Sequence, residues 1–532
     1  MKTSVIIQAR MNSVRFPGKV LAKINGKSIL EIIVERLKRS ESIDDIVVAI
    51  SSSKKDIELL KFLKKQIIKF NMSHSIINDV TPEMIQRYNR PGPRYTSYPT
   101  VPVWSKGQFH DDYVKCLQEE SLKDRPISLY VHLPFCRQLC TFCGCNKFIT
   151  GNRKITEDYL SALDKEIDGV ARILHSRKKL AQIHLGGGTP TYLNPKQLER
   201  FINKITSRFD VQENSELAFE ADPRVTTIDH LETLYGLGFR RVSFGVQDLN
   251  RDVQKAINRN QTAKQSWDTI NNSRSIGYTS INLDLVYGLP LQTHQSFCKT
   301  LDEVGKMRPD RLAVYSFAYL PGMFKTHKRA IKDKDLPMPE EKIQIYLEAI
   351  RFFTEIGYVM IGMDHYALPE DELALALKNR TLHRNFMGYT TLHNMAQIGI
   401  GVSAISDFGD SYWQNNKDLY QYMNEASDKI LNPRRGIKLD KEDQLRREVI
   451  ETLMCHGEIL ISDFEKRYEI NFSKHFNNAW PELEKFAREG LVKLDSNKIN
   501  LTPVGTLFTR NIAMPFDRYL TESSSMNFSK TV

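Results

Sequence analysis

The sequence predicts an α/β protein organised around a partial barrel of six βα units. Six strand-like segments recur between residues 126 and 318: ISLYVHL (127–133), QIHLG (182–186), ELAFEAD (216–222), RVSFGVQ (241–247), INLDLVYG (281–288) and RLAVYSFA (311–318). Helical stretches such as TEDYLSALDKEIDGVARILHS and PKQLERFINKITSRF separate them, which is the alternation of βαβ units in a parallel sheet. Polar or glycine residues gather at the C-terminal end of nearly every strand, where barrel enzymes place their sites.

The chain does not begin with this rhythm. TSVIIQA (3–9) reads as a buried strand, followed by the basic, Gly- and Pro-containing loop RMNSVRFPGK. An amphipathic helix near ILEIIVERLKRS, a strand at DDIVVAI and a helix at KKDIELLKFLKKQIIKF complete a β-α-β-α half of a doubly wound fold that stops near Ser75. A domain boundary is expected at residue 78. Residues 79–125 open with TPEMIQRYNRPGPRYTSYPTVPVW, rich in Pro, Tyr and Arg and without clear period, an ordered arm rather than a flexible linker. The barrel is expected over 126–425. Residues 426–532 turn mostly helical, with a hairpin-like GLVKLDSNKINLTPVG. That combination resembles a winged helix. No helix there carries a concentrated basic face, so a structural lid is preferred to DNA binding.

Composition narrows the function. The 532 residues are 41% apolar and 26% charged, as in ordinary globular proteins. No apolar run approaches the roughly 20 residues of a membrane span, and the start of the chain lacks the pattern of a signal peptide. A cytoplasmic protein, with no membrane or nucleic-acid partner and monomeric, is expected. The net charge of +11 suits a basic surface or an acidic small substrate, and Lys and Arg form no long run.

Four of the seven cysteines lie in FCRQLCTFCGCNKF (135–148). In a reducing compartment such clustering marks a metal or redox site rather than a disulfide framework. Zinc sites usually pair two C-x2-C units, and here no second pair exists. Cys136, Cys140 and Cys143, spaced C-x3-C-x2-C, suit a [4Fe–4S] cluster with one iron free of protein ligands. Cys145 is either a fourth ligand or a neighbour that supports the site.

This spacing at the end of a first barrel strand, with Phe142 between the second and third cysteines, resembles the radical S-adenosylmethionine (SAM) superfamily. YNRPGPRYTSYPT (88–100), YVHLPFCRQLCTFCGCNK (130–147), HLGGGTPTYL (184–193), FEADPR (219–224), FGVQD (244–248), NLDLVYGLP (282–290), GMDHYALPEDELA (362–374) and LHRNF (382–386) resemble the oxygen-independent coproporphyrinogen III oxidase family. The resemblance spans about residues 80 to 530. It implies a radical SAM barrel that converts two propionate side chains of coproporphyrinogen III to vinyl groups, giving protoporphyrinogen IX. In that family SAM is cleaved at the cluster to a 5′-deoxyadenosyl radical. A small electron donor such as flavodoxin or ferredoxin and an electron acceptor of unknown identity are also implied. The resemblance places Tyr130, Gly187, Glu220 and Ile405 at cluster-bound SAM, and Phe142, Gly188, Thr189, Gln247, Arg259, Asp284 and Ala318 at a second SAM molecule. Tyr130, Cys145, Glu220 and Ile405 are the implied catalytic positions, and Cys136, Cys140 and Cys143 the cluster ligands. Arg90, Arg94 and Arg384 are candidates for substrate carboxylates, because a guanidinium fork binds them bidentately.

Two departures stand out. The family usually reads Arg-Asn-Phe-Gln-Gly-Tyr-Thr-Thr, where this chain has RNFMGYTT, so Met387 replaces an amide; the acidic pair that follows in the family is replaced around His393 and Asn394. A haem-binding or haem-transferring relative without oxidase activity is therefore the alternative reading. The segment ARMNSVRFPGKVL (9–21) resembles the nucleotide loop of sugar-activating cytidylyltransferases of the spore-coat polysaccharide type. Arg10, Arg15 and Lys19 would meet triphosphate oxygens there. The remainder to residue 80 is too short for a whole domain of that kind, so a truncated Rossmann-like fragment without transferase activity is expected.

Overall fold

A computed structural model describes residues 4–9, 19–24, 27–37, 45–50, 80–174, 178–428, 431–520 and 528–531. The chain forms two compact units, Met1–Ile76 and Ile77–Val532. In the first, Ser4–Ala9 pairs in parallel with Asp45–Ile50, and the helix Ile29–Leu37 lies between them in sequence. Leu30 on that helix is buried against Ile7, Val20, Leu21, Val34 and Val48. This is the predicted β-α-β start of a doubly wound fold. Arg10, Arg15 and the helix expected at 54–70 lie outside the described residues; Lys19 opens a short 3-10 turn.

The second unit is built on six parallel strands in sequential order: β1 (Ile127–Leu133), β2 (Lys179–Gly187), β3 (Asp210–Ala221), β4 (Arg241–Gln247), β5 (Ser280–Tyr287) and β6 (Arg311–Ser316). β1 and β4 have the predicted bounds. The order runs on without reversal, as in a barrel rather than a doubly wound sheet. Burial alternates strictly in β4 and through the first half of β5. The odd-numbered residues of β4 are partly open and the even ones buried, and in β1 Tyr130 alone is not buried. The open residues face the concave side. The buried ones, such as Leu129, Leu185, Phe219, Phe244 and Leu283, pack against helices in one core.

Those helices start where side chains satisfy orphan backbone N–H groups. Asn194 with Gln197, Thr227 with His230 and Thr262 with Gln265 form reciprocal capping boxes on Pro195–Arg208, Ile228–Gly236 and Ala263–Ile276. Each such cap contributes about 1 kcal/mol. They fix the crossovers that bring the strand ends to one side.

The sheet does not close. Beyond β6 lie two antiparallel strands, β7 (Val359–Gly362) and β8 (His365–Ala367). On the other edge β9 (Gln397–Ile400) runs parallel to β1, and β10 (Ile405–Asp407), β11 (Ser411–Gln414), β12 (Arg435–Lys438) and Ser105–Lys106 continue antiparallel. The sheet is thus a 13-stranded open arc with the six-strand barrel segment at its centre.

Residues 441–516 form a mostly helical module with a three-stranded antiparallel sheet in the order Glu458–Leu460, Lys498–Leu501, Val492–Leu494. Tyr88, Tyr95 and Tyr98 of the arm are buried in its core with Val449, Leu453, Phe486 and Phe508. That burial accounts for the aromatic content of the arm. Among the described residues no helix is long and apolar enough to cross a membrane.

Candidate active site

The loop after β1 carries the cysteines past the C-terminal end of the parallel strands. Cys140 is buried, Cys136 and Cys143 are half-buried, and Cys145 is exposed. The backbone turns tightly here, with the Cys143 N–H donating to the Cys140 carbonyl at 3.2 Å. The Cys140 Sγ accepts from two guanidiniums, Arg224 at 3.6 Å and Arg259 at 3.7 Å. Both are anchored by Asp222 at the end of β3: Arg224 donates to it at 2.7 Å and Arg259 at 3.3 Å. The Cys136 Sγ lies 3.5 Å from the Thr189 hydroxyl, and burial pushes its thiol up to about 11. A hydrogen bond with Cys145 holds the Cys143 thiol down, against its burial, with Lys147 assisting; the same bond raises Cys145.

This donor set fits a [4Fe–4S] cluster. Thiolates are its ligands, and a buried thiolate needs positive partners; Cys140 has two and Cys143 has Lys147 nearby. Among the described residues no group of three His, Cys, Asp or Glu side chains gathers as the shell of a single ion would. A four-iron cluster spreads its thiolates over separate corners and does not require that convergence.

Beside the loop, Gly186 and Gly187 end β2 and Gly188 follows it. Gly187 adopts φ +110°, and a Cβ there would meet the His132 ring at 2.5 Å; one on Gly188 would meet the Pro134 carbonyl at 2.6 Å. Only glycine leaves this edge open for close approach. The Gly187 N–H donates to Glu220 Oε2 at 3.1 Å, and the His184 ring lies 3.6 Å from Oε1. Burial raises the Glu220 carboxyl, but His184, the Gly187 N–H and His132 outweigh it and hold the group below the usual range. Tyr130 stacks on His184 at 5.9 Å and bonds His132 Nδ1 at 3.1 Å. Asp284 accepts from Ser243 Oγ at 3.0 Å and Asn282 Nδ2 at 2.8 Å. Burial and the charge of Glu220 push it up to about 7. Two carboxyls on one wall thus have divergent proton affinities. Both line a cavity inside the strand arc that also meets His184, Tyr315, His365 and Met387.

The remaining sequence-derived positions fall in distinct places. Arg259 donates to the Gly245 carbonyl at 2.6 Å as well as to Cys140, and Gln247 follows at φ +68°. Phe142 packs on a small core with Val253, Leu289 and Phe317, and Ala318 follows that phenylalanine. Ile405 opens β10, its backbone against Gly399, which pairs with Tyr130. Arg224, Asp222, His132 and His184 were missed as site residues. Their signal was present, since each stands at or near a strand end in a segment already singled out.

Arg94 is engaged in an ion pair. Its guanidinium pairs with buried Asp364 in the turn between β7 and β8 and sits 5.6 Å from the Tyr315 ring centroid. Burial raises the Asp364 carboxyl, but Arg94 and His365 hold it well below the usual range. Breaking a buried pair strands a charge, so Arg94→Met should cost about 3 kcal/mol at neutral pH. A depressed carboxyl contributes stability above its unfolded value, and this is lost as pH falls through the folded one. The gap between the Arg94→Met and wild-type denaturation midpoints should therefore narrow between pH 7 and pH 3; a gap widening toward acid contradicts the assignment.

Three family models match: the radical SAM superfamily over residues 130–304, the HemN C-terminal domain over 439–508, and cytidylyltransferase over 4–90. An oxygen-independent coproporphyrinogen III oxidase of Escherichia coli strain K12 is 43% identical over 450 residues, covering 84% of this chain and 98% of that protein. The oxidase of the same description from Pseudomonas aeruginosa is 42% identical over 452 residues, covering 85% and 98%. The solved coproporphyrinogen III oxidase (HemN) of E. coli, described as a radical SAM enzyme, superposes with a TM-score of 0.78 at 43% identity, covering 80% of this chain and 98% of that one. Since two relatives align almost end to end with residues that build both the cysteine loop and the strand arc, the chain belongs to the oxygen-independent coproporphyrinogen III oxidase family of radical SAM proteins.

Proposed function

We propose that this chain carries out the oxygen-independent oxidative decarboxylation of coproporphyrinogen III to protoporphyrinogen IX. The observation that supports this most directly is the three-cysteine loop beside the open glycine edge of β2, at the strand end that faces the Glu220–Asp284 cavity. The cluster, when bound, supplies one electron for reductive cleavage of SAM. The protein's part is to bind, orient and exclude water. Glu220, ionised, can accept from ribose hydroxyls; His184 lines the cavity, with Tyr130 stacked on it; Gly187 and Gly188 leave room for close approach of a ligand. Arg259 and Asp284 are suited to a second SAM. Each propionate loses one hydrogen atom and one CO2, and the electron left over passes to an acceptor. A flavodoxin or ferredoxin is the proposed donor, and a cytoplasmic monomer the proposed state.

The test is an anaerobic assay of reconstituted protein with SAM, reductant and coproporphyrinogen III. Protoporphyrinogen IX should form; SAM cleavage without vinyl product would leave only the superfamily chemistry. Residues 1–78 lie outside every motif of this site, and Met1–Ile76 is its own compact unit. Deleting residues 1–78 should leave SAM cleavage intact, since every motif of this site lies after residue 80. Loss of cleavage in a folded truncation would make the fragment a working part.

A further inference from the structure

A polycarboxylate substrate must find cations, and the three candidate arginines differ sharply. Arg94 already pairs with Asp364 through Nη2. Arg90 is exposed. Arg384 is 9% exposed, and its Nε and Nη1 are buried without a hydrogen-bond partner. The Tyr389 ring covers one face, 4.7 Å from the guanidinium carbon. Acids line the same cleft, but each has another partner. Asp407 takes Arg447 at 2.9 Å, Glu448 takes Tyr468 at 2.7 Å together with Arg467, and Glu451 faces His383 at 3.4 Å. Arg125, also on the cleft, is held by Glu120 at 2.7 Å. A desolvated guanidinium with unused donors is unfavourable unless an anion completes it. The cleft shares Gln182, Asn385 and Thr390 with the cavity that holds Glu220 and Asp284. An anion seated at Arg384 is therefore bound at the margin of the reaction space rather than at its centre.

We infer that Arg384 seats a carboxylate of a non-reacting side chain of the tetrapyrrole, and so positions the ring relative to the cavity. This rests on the oxidase reading for the identity of the carboxylate. The anion seat itself rests on the buried, unpartnered guanidinium. Lysine would keep the charge and lose the fork.

The test uses coproporphyrin III, the stable oxidised form, and its tetramethyl ester, titrated by fluorescence into the anaerobically reconstituted full chain. The wild type should bind the free acid at least fivefold more tightly than the ester. Arg384→Gln should lose about fivefold for the acid and little for the ester, with Arg384→Lys between them. Iron content and thermal midpoint report whether each variant is folded. Equal affinity of folded Arg384→Gln and wild type for the acid overturns the inference. So does a wild type that binds the ester as tightly as the acid, which needs no variant. If the affinity pattern is as expected but the wild type forms no vinyl product, the carboxylate seat stands and the oxidase reading falls.

Discussion

Cys136→Ala, Cys140→Ala and Cys143→Ala proteins, reconstituted anaerobically, are expected to be colourless and to cleave no SAM, whereas Cys145→Ala should keep most of its iron. The four thiols differ in what surrounds them. Cys140 is buried and faces two guanidiniums that Asp222 holds in place. Cys136 is half-buried against Thr189. Cys143 is drawn toward the thiolate by its hydrogen bond to Cys145 and by Lys147. Cys145 is exposed, and the same bond opposes its ionisation. The C-x3-C-x2-C spacing makes Cys136, Cys140 and Cys143 the expected ligands and Cys145 a neighbour. Removing Cys145 is expected to take away no ligand. Iron and sulfide analysis checks this: about four of each per wild-type chain. Zinc in place of iron, or equal loss at all four positions, overturns the assignment. Arg224→Met, which removes one cation from Cys140, should lower cluster retention without abolishing it.

The barrel was legible because its strands are long enough to show a period. Seven residues of nearly continuous burial in β1, or of alternating burial in β4, leave a clear pattern between helices. The flanking strands β7 to β12 have three or four residues each, too few to distinguish strand from turn. Their pairing is set by the edges of the central sheet, which no local window contains. The site divides the same way. Cysteine spacing and the glycine run lie within a few residues and were visible. The partnership of Arg224 and Arg259 with Cys140 spans 84 and 119 residues and was not. Nor was the pairing of Arg94 with Asp364, 270 residues apart. The residue type named three carboxylate candidates; burial and partners selected Arg384.

Met387→Gln is expected to raise the rate of decarboxylation about tenfold without changing iron content. Met387 sits in the turn between His383–Asn385 and Gly388–Thr390, its N–H donating to Asn385 Oδ1 at 2.9 Å. It lines the same cavity as Glu220, Asp284 and His365. The oxidase family resembled by this chain carries Gln here, which offers two donors and an acceptor; a thioether offers one weak acceptor. A hydrogen bond inside the cavity is worth about 0.5–1.5 kcal/mol, and more where its loss strands a partner. If that bond acts in the transition state, 1.4 kcal/mol is a factor of ten in rate. If it acts equally on bound substrate, KM falls and kcat stays, so the two constants separate the cases. The wild type should then cleave more SAM than it forms vinyl groups, and the substitution should bring the ratio toward one per vinyl. An unchanged ratio with unchanged kcat means that the backbone of the turn, rather than the side chain, shapes the cavity. If neither protein forms protoporphyrinogen IX while haem binds tightly, the haem-handling reading replaces the oxidase.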